Sequence, residues 1–481
     1  GATGPAGAAG AAGADGVGGV KDFVASGTLP DGTAVVLNSN GTVTAVGIQT
    51  IATSLPVESG ITSFSGSPFE HSSVEFDPHN SDRFLVSWLA GSARPKVIAG
   101  TISGTTATFG TEVQLTTTTY THSRVAFDPV TANRFIFAGS SSSGNRVAIG
   151  ALSGTTITMG SLVNPASNTD STWNIDVGFL KGMSGSFVLT YLKLGYSDSA
   201  AIVGVISGTS ITYGSEEIFT QLAAGASAMA AKTDPHNTGQ FMVIYRDSSG
   251  SAVKIGQVSG TTITFGTAAT LPGAWHSHGK NKSIDYDPTT SDRFIVAYVP
   301  GESNVLINCV IGTTSGTTVS FGTPASPISG TNSPKYQAVK FSATTAGKFI
   351  LAYGNYISGL GNRAYIVEGT VSSSNSISFG SVGTLSTSEC DHLDVSIGPD
   401  EKIMTVVQDG GNGIAASYSI GQLGYSATNL TSDNFIGTSS AAYANAATAS
   451  IVLAGGVSAN QTGLTTNSVY YVQTDGTIST T

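Results

Sequence analysis

The sequence predicts an all-β protein, with a collagen-like segment at residues 1–20, a seven-bladed β-propeller at 21–424 and a small β-rich module at 425–481. Three observations predict it: a repeat of about fifty residues, four short alternating segments per repeat, and a glycine-rich, charge-poor composition.

The repeat carries most of the weight. A unit of the form FDPxxxDRFxVxW, followed by a strand and then SGTTITFG, recurs with variations, and its closing aromatic-or-Met/Gly pair falls at Gly110, Gly160, Gly214, Gly266, Gly322 and Gly380. The opening Asp-Pro falls at Asp77, Asp128, Asp234 and Asp287. Proline presets φ there, and the Asp side chain can bond nearby backbone N–H groups, so the pair turns the chain after the first strand. In the first unit the alternating segments are Val74–Phe76, Phe84–Trp88, Val97–Ile102 and Thr106–Phe109. Ser-Gly at 103–104, 153–154, 207–208, 259–260 and 315–316 reads as a tight hairpin joining the third and fourth strands. Four strands per unit is the arithmetic of a propeller blade. The seventh unit, His392–Ile420, lacks the SGTTITFG segment. The hairpin Ala34–Val46, around Asn40-Gly41, is expected to pair into it, closing the ring and removing an open edge.

Charged residues make up 10% of the chain, against about 25% in an ordinary soluble protein, while 40% are hydrophobic and recur in short runs. That excludes a disordered chain and fits turn-rich structure displayed outside a cell. The net charge of −10 carries no basic cluster, so neither nucleic acid nor an anionic membrane is an expected partner. No stretch reaches the roughly 20 apolar residues of a membrane helix, and no signal peptide opens the chain. The start at Gly1 leads us to expect further residues upstream. Cys309 and Cys390 fall in the fifth and seventh units, which are not neighbours in a seven-membered ring, so both thiols are expected to be free.

Glycine occupies positions 1, 4, 7, 10, 13 and 16. Strict spacing by three is the collagen pattern, because only glycine fits at the axis of three polyproline-II chains, and it implies a homotrimer. A flexible Gly/Ala linker is the alternative reading.

After about Gly424 the composition shifts to Ala, Ser, Thr and Asn. Through Asp433-Asn434-Phe435-Ile436-Gly437, Gln461-Thr462-Gly463-Leu464 and Tyr470-Tyr471-Val472-Gln473-Thr474-Asp475-Gly476, this last eighth of the chain resembles C-terminal modules of bacteriophage tail-fibre-like proteins. In that family the motif continues into another strand, so the end at Thr481 looks clipped. The resemblance implies a virion or extracellular appendage, with other fibre components and a host-surface glycan or protein as partners. A bacterial surface adhesin on a collagen-like stalk is the nearest alternative, and a glycan-degrading propeller enzyme a remote one.

Registering the units on their first strands aligns His71, His122, Thr172, Ala228, Asn281, Tyr336 and His392 around a central channel. His392, His71 and His122 come from three consecutive units, and three converging imidazoles are a donor set for Zn, Ni or Fe. The alternative is polar side chains in a wet channel, and no cofactor other than such a divalent metal is expected. Trp275-His276-Ser277-His278 carries a second histidine pair, read as an exposed loop. Arg83, Arg134, Arg293 and Lys348 recur before an apolar strand, beside Asp82 and Asp292 in two cases, and read as surface ion pairs at hairpin tips. Loops that vary between units are where recognition is expected, with Tyr191, Tyr196, Trp275, His276, His278 and Tyr356 as candidate glycan or receptor contacts. The sialidase S-x-D-x-G-x-T-W box, G-x-S-x-G, HExxH and a phosphate loop are all absent, so the expected function is non-enzymatic binding.

Overall fold

The computed structural model describes residues 19–480 except 57–61, 66–69, 166–171, 194–197, 222–228, 248–249, 274–282, 301–305, 328–332, 358–360, 389, 391, 410–414, 432, 454–460 and 466–467. The glycine triplets of 1–18 therefore lie outside the described residues. The chain divides into two compact units, Ala52–Leu423 and the pairing of Gly1–Ile51 with Gly424–Thr481. Every regular element among the described residues is a strand, and none is a helix that could cross a membrane.

Within Ala52–Leu423 the described residues form seven antiparallel sheets of four or five strands. The first holds Glu70–Asp77, Asn80–Ala90, Arg94–Ser103 and Thr106–Phe109 in chain order, and the four expected segments lie inside these strands. Gly104, Gly154, Gly208, Gly260 and Gly316 open the hairpins between third and fourth strands at φ near +60°. The residue that follows each is not left-handed, which is the pattern of a type II′ turn and accounts for Ser-Gly-Thr in these five units.

The first strand of each sheet contacts the first strand of the next, and that of the seventh sheet contacts that of the first, so the sheets form a closed cycle. Core residues lie between the sheets. Phe84, Trp88, Met404 and Tyr418 join the seventh to the first, Leu85, Val97, Phe135 and Phe137 join the first to the second, and five further clusters continue the series. Strands packed on both faces must be apolar on both, which is why the second strands read as nearly continuous hydrophobic runs.

Closure differs from expectation. The seventh sheet is completed by Thr62–Ser65, in register with Ala416–Tyr418, and not by Ala34–Val46. Fourth strands sit at the periphery and are half exposed, as in Thr106–Phe109 and Ser210–Tyr213, whereas Ala34, Val35 and Val36 are all buried. A strand apolar on both faces cannot take the outer edge. Instead the Asn40-Gly41 hairpin joins the other unit, in a five-stranded sheet ordered Val20–Val24, Thr448–Leu453, Phe435–Ser439, Ala34–Leu37, Val43–Ala45. Leu29, Val35, Val43, Ala449 and Ile451 form its core. Residues 21–51, placed with the propeller by the repeat reading, thus share a unit with the C-terminal module.

The recurrent arginines also differ from expectation. Arg83, Arg134 and Arg293 pair with the Asp of the Asp-Pro turn and not with Asp82 or Asp292: Nε donates to Asp77, Asp128 and Asp287 at 2.7, 2.7 and 2.8 Å. The carboxylates are buried, and their second oxygens accept from the backbone of the turn, at His79, Val130 and Thr289. Arg83 continues to Asn133 Oδ1 of the next sheet. These are buried connectors: the inward-turned Asp is satisfied by a cation reaching in from the next strand, whereas Asp234, with Gln240 in place of the arginine, is satisfied by the backbone of its turn and by Asn237 Nδ2 at 3.0 Å. Lys348 pairs with Glu368 instead.

Candidate functional site

Each first strand pairs on one side only, leaving an inner edge whose N–H groups need acceptors. The preceding sheet supplies several. Asp394 accepts from Val74 N at 3.0 Å, Asp176 from Ala231 N at 3.1 Å, Asp285 from Phe341 N at 2.9 Å and His122 Nδ1 from Asn174 N at 3.3 Å.

Phe76, Phe127, Phe179 and Phe341 pair with Phe84, Phe135, Phe187 and Phe349 and so fix the register between sheets. In that register Asn174, not Thr172, stands level with His71, His122, Tyr336 and His392. The repeat reading slipped by two because the third unit lacks Asp-Pro. Ala228 and Asn281 lie outside the described residues. His71, Asn174 and Tyr336 share a left-handed backbone, with φ of 49°, 45° and 48°, at irregular points of the first strands. The rings gather as the repeat predicts: Tyr336, His392, His71 and His122 follow one another with centroid separations of 5.3, 4.9 and 4.2 Å. The lone pair of His122 Nδ1 is engaged by Asn174, and among the described residues no group of three His, Cys, Asp or Glu side chains is arranged to hold a metal ion.

A cavity of about 500 Å³ lies at the other end of the first strands, lined from all seven sheets. Pro78, Pro129, Pro235, Pro288 and Pro399 surround it at the turns. One layer further in, the equivalent positions are Glu75, Ala126, Gly178, Lys232, Asp285, Lys340 and Ser396. Lys232 Nζ lies 3.2 Å and Lys340 Nζ 3.7 Å from Asp285 Oδ1. Burial works to lower the Lys232 pKa, but Asp285 and Glu75 outweigh it and hold the ammonium well above the ordinary lysine range. These charged residues were missed in the sequence although the repeat register exposes them: they sit two places before the Asp-Pro position and break the symmetry that the rest of the repeat keeps.

The candidate aromatic contacts divide. Tyr191 is fully buried, its hydroxyl 2.5 Å from Glu216 Oε2, which removes it as a surface contact; a second strand packed between two sheets has no exposed face there. Tyr356 is 44% exposed near the end of the hairpin Lys348–Ile357/Gly361–Val371 and can meet a ligand. Tyr196, Trp275, His276 and His278 lie outside the described residues. Cys309 and Cys390 are buried and form no disulfide, Cys390 Sγ donating to His392 O at 3.4 Å, and burial pushes the Cys309 thiol up, so it stays protonated.

No family model matches the chain, and no curated protein matches it. Solved structures do. The BP39L lectin from Burkholderia pseudomallei is matched with a TM-score of 0.56 at 10% identity, covering 77% of this chain and 98% of that one. A protein from Lactobacillus plantarum is matched with a TM-score of 0.49 at 13% identity, over 71% and 96%. The Aleuria aurantia lectin, described as a six-bladed β-propeller with a novel fucose recognition mode, is matched with a TM-score of 0.40 at 15% identity, over 66% and 98%. The chain is all-β and shares the fold of the BP39L lectin.

Proposed function

We propose that this protein is a non-enzymatic carbohydrate-binding module: a seven-bladed β-propeller displayed as a homotrimer on the collagen-like stalk of a virion fibre. The observation that carries the carbohydrate reading is the fold shared with the BP39L lectin across 98% of that chain, together with a closed cycle whose repeated residues serve structure. What breaks the repeat, the charged cavity layer and exposed Tyr356, is left for recognition. The glycine triplets and the fibre-type blocks around Phe435 and Tyr471 support the appendage reading. Three weak heads on one stalk raise apparent affinity with no new contact.

The test is a glycan array probed with the full chain, alongside sedimentation to determine its mass. Retention on a defined subset of glycans, competed by free sugar, is expected from a species of three chains. A protein that ignores every glycan overturns the carbohydrate reading, and a monomer overturns the trimeric display.

A further inference from the structure

The charged layer of the central cavity has no structural counterpart in the other repeats. Where a side chain serves the fold, the repeat returns it at the same place, as with the Asp-Pro carboxylates. At the cavity layer the chain sets two ammonium groups and two carboxylates among Ala126, Gly178 and Ser396. Asp285 Oδ2 is engaged by Phe341 N, and its Oδ1 faces both Lys232 and Lys340, while Glu75 on another wall is near enough to act on Lys232.

The chemistry of this floor selects its ligand. Within this layer the two positive and two negative charges cancel, and Asp176, Lys181 and Asp234 line the same cavity, so a free anion would meet the carboxylates and a free cation the lysines. Lysines only donate and ionised carboxylates only accept, whereas a hydroxyl does both. Adjacent hydroxyls on one ring can accept from an ammonium and donate to the neighbouring carboxylate. The proline collar offers apolar surface to the C–H face of the same ring, and a volume of about 500 Å³ admits one or two sugar residues. Resting on the carbohydrate reading above, we propose that the cavity binds the terminal pyranose of a neutral glycan, its vicinal hydroxyls on Lys232, Asp285, Lys340 and Glu75.

The experiment is calorimetric titration of the full chain with neutral methyl glycosides, and with acetate and inorganic phosphate as anion probes. At least one glycoside is expected to bind saturably and the anions not to compete. Two variants with unrelated routes to misfolding report on the place: Lys232→Met with Asp285→Asn, which keeps the net charge, and Ala126→Phe, which fills the cavity and leaves the charges alone. Each is expected to weaken glycoside binding at least tenfold. In the unaltered protein, bound glycoside is expected to slow acetylation of Lys232 and Lys340 amines, read by mass spectrometry. Undiminished binding in folded variants, or no protection of these amines, places the sugar elsewhere and overturns the cavity site while the carbohydrate reading stands. Binding of acetate or phosphate in place of glycosides overturns the ligand class. A wild-type chain that binds no glycan overturns both.

Discussion

The ring of Phe84 lies against Gly100, its partner in the pairing of the second and third strands, so closely that a Cβ on Gly100 would stand 2.4 Å from Phe84 Cζ. The relationship repeats at Phe135/Gly150, Phe187/Gly204, Phe241/Gly256, Phe294/Gly312 and Phe349/Gly369, with distances of 2.0 to 2.3 Å. The glycine is a recess for the ring. Gly204→Ala is expected to cost about 1–3 kcal/mol by overpacking, and adding Phe187→Leu should recover part of that loss. Denaturant midpoints of the single and double variants measure it.

The Asp128–Arg134 pair joins the turn to the second strand with the carboxylate buried. Removing one partner leaves the other charge uncompensated. Arg134→Met is expected to destabilise by about 3 kcal/mol or more, whereas the outlying Asp31→Asn should change little. Thermal unfolding of the two variants separates a buried connector from an exposed charge.

Asp394 reaches from the seventh sheet to Val74 N on the inner edge of the first. Asp394→Ala removes that acceptor, at a cost of about 1–3 kcal/mol. Hydrogen exchange at Val74 is expected to accelerate by at least tenfold, while amides in the third sheet keep their protection. Equal acceleration throughout would mean the bond does not act locally.

At the junction of the seventh and first sheets Phe64 stacks on Phe109 at 4.7 Å and meets Trp88 edge-on at 5.8 Å. Phe64 is only partly buried, so Phe64→Ala is expected to cost less than the ~3–5 kcal/mol of a fully buried ring and to raise protease sensitivity near the seventh sheet first. Limited proteolysis with mass mapping of the early cuts tests it.

Tyr120 is buried, and desolvation pushes its phenol up to about 12, with Arg146 pulling weakly the other way. Below pH 10 both folded and unfolded chains keep this proton. From about 10 to 12 the unfolded chain loses it while the folded chain keeps it, so stability falls as pH rises. Tyr120→Phe is expected to remove roughly 2 kcal/mol of that fall, read as a shallower loss of denaturant midpoint over this range.

Much of the cycle was legible because repetition converts spacing into geometry. Phe-Asp-Pro and Ser-Gly-Thr mark strand ends that the sheets reproduce, and the histidine arc followed from aligning units on one strand. Reading failed where the repeat itself fails. The third unit has Leu180 where four others have Asp, so Asn174 was misplaced; Tyr191 looked like a loop aromatic although its strand is buried on both faces.

The sequence by itself determined the number of repeats, the strands within each and the hairpins that join them, because φ preference, alternation and apolar runs are local properties. Only the tertiary structure decided which distant strand completes the seventh sheet, which carboxylate each arginine meets, and that Glu75, Lys232, Asp285 and Lys340 share one cavity. The first depends on pairing between residues hundreds of positions apart, the second on which of two nearby carboxylates is buried, and the third on how seven sheets close around one axis, and none of these is set by local preference along the chain.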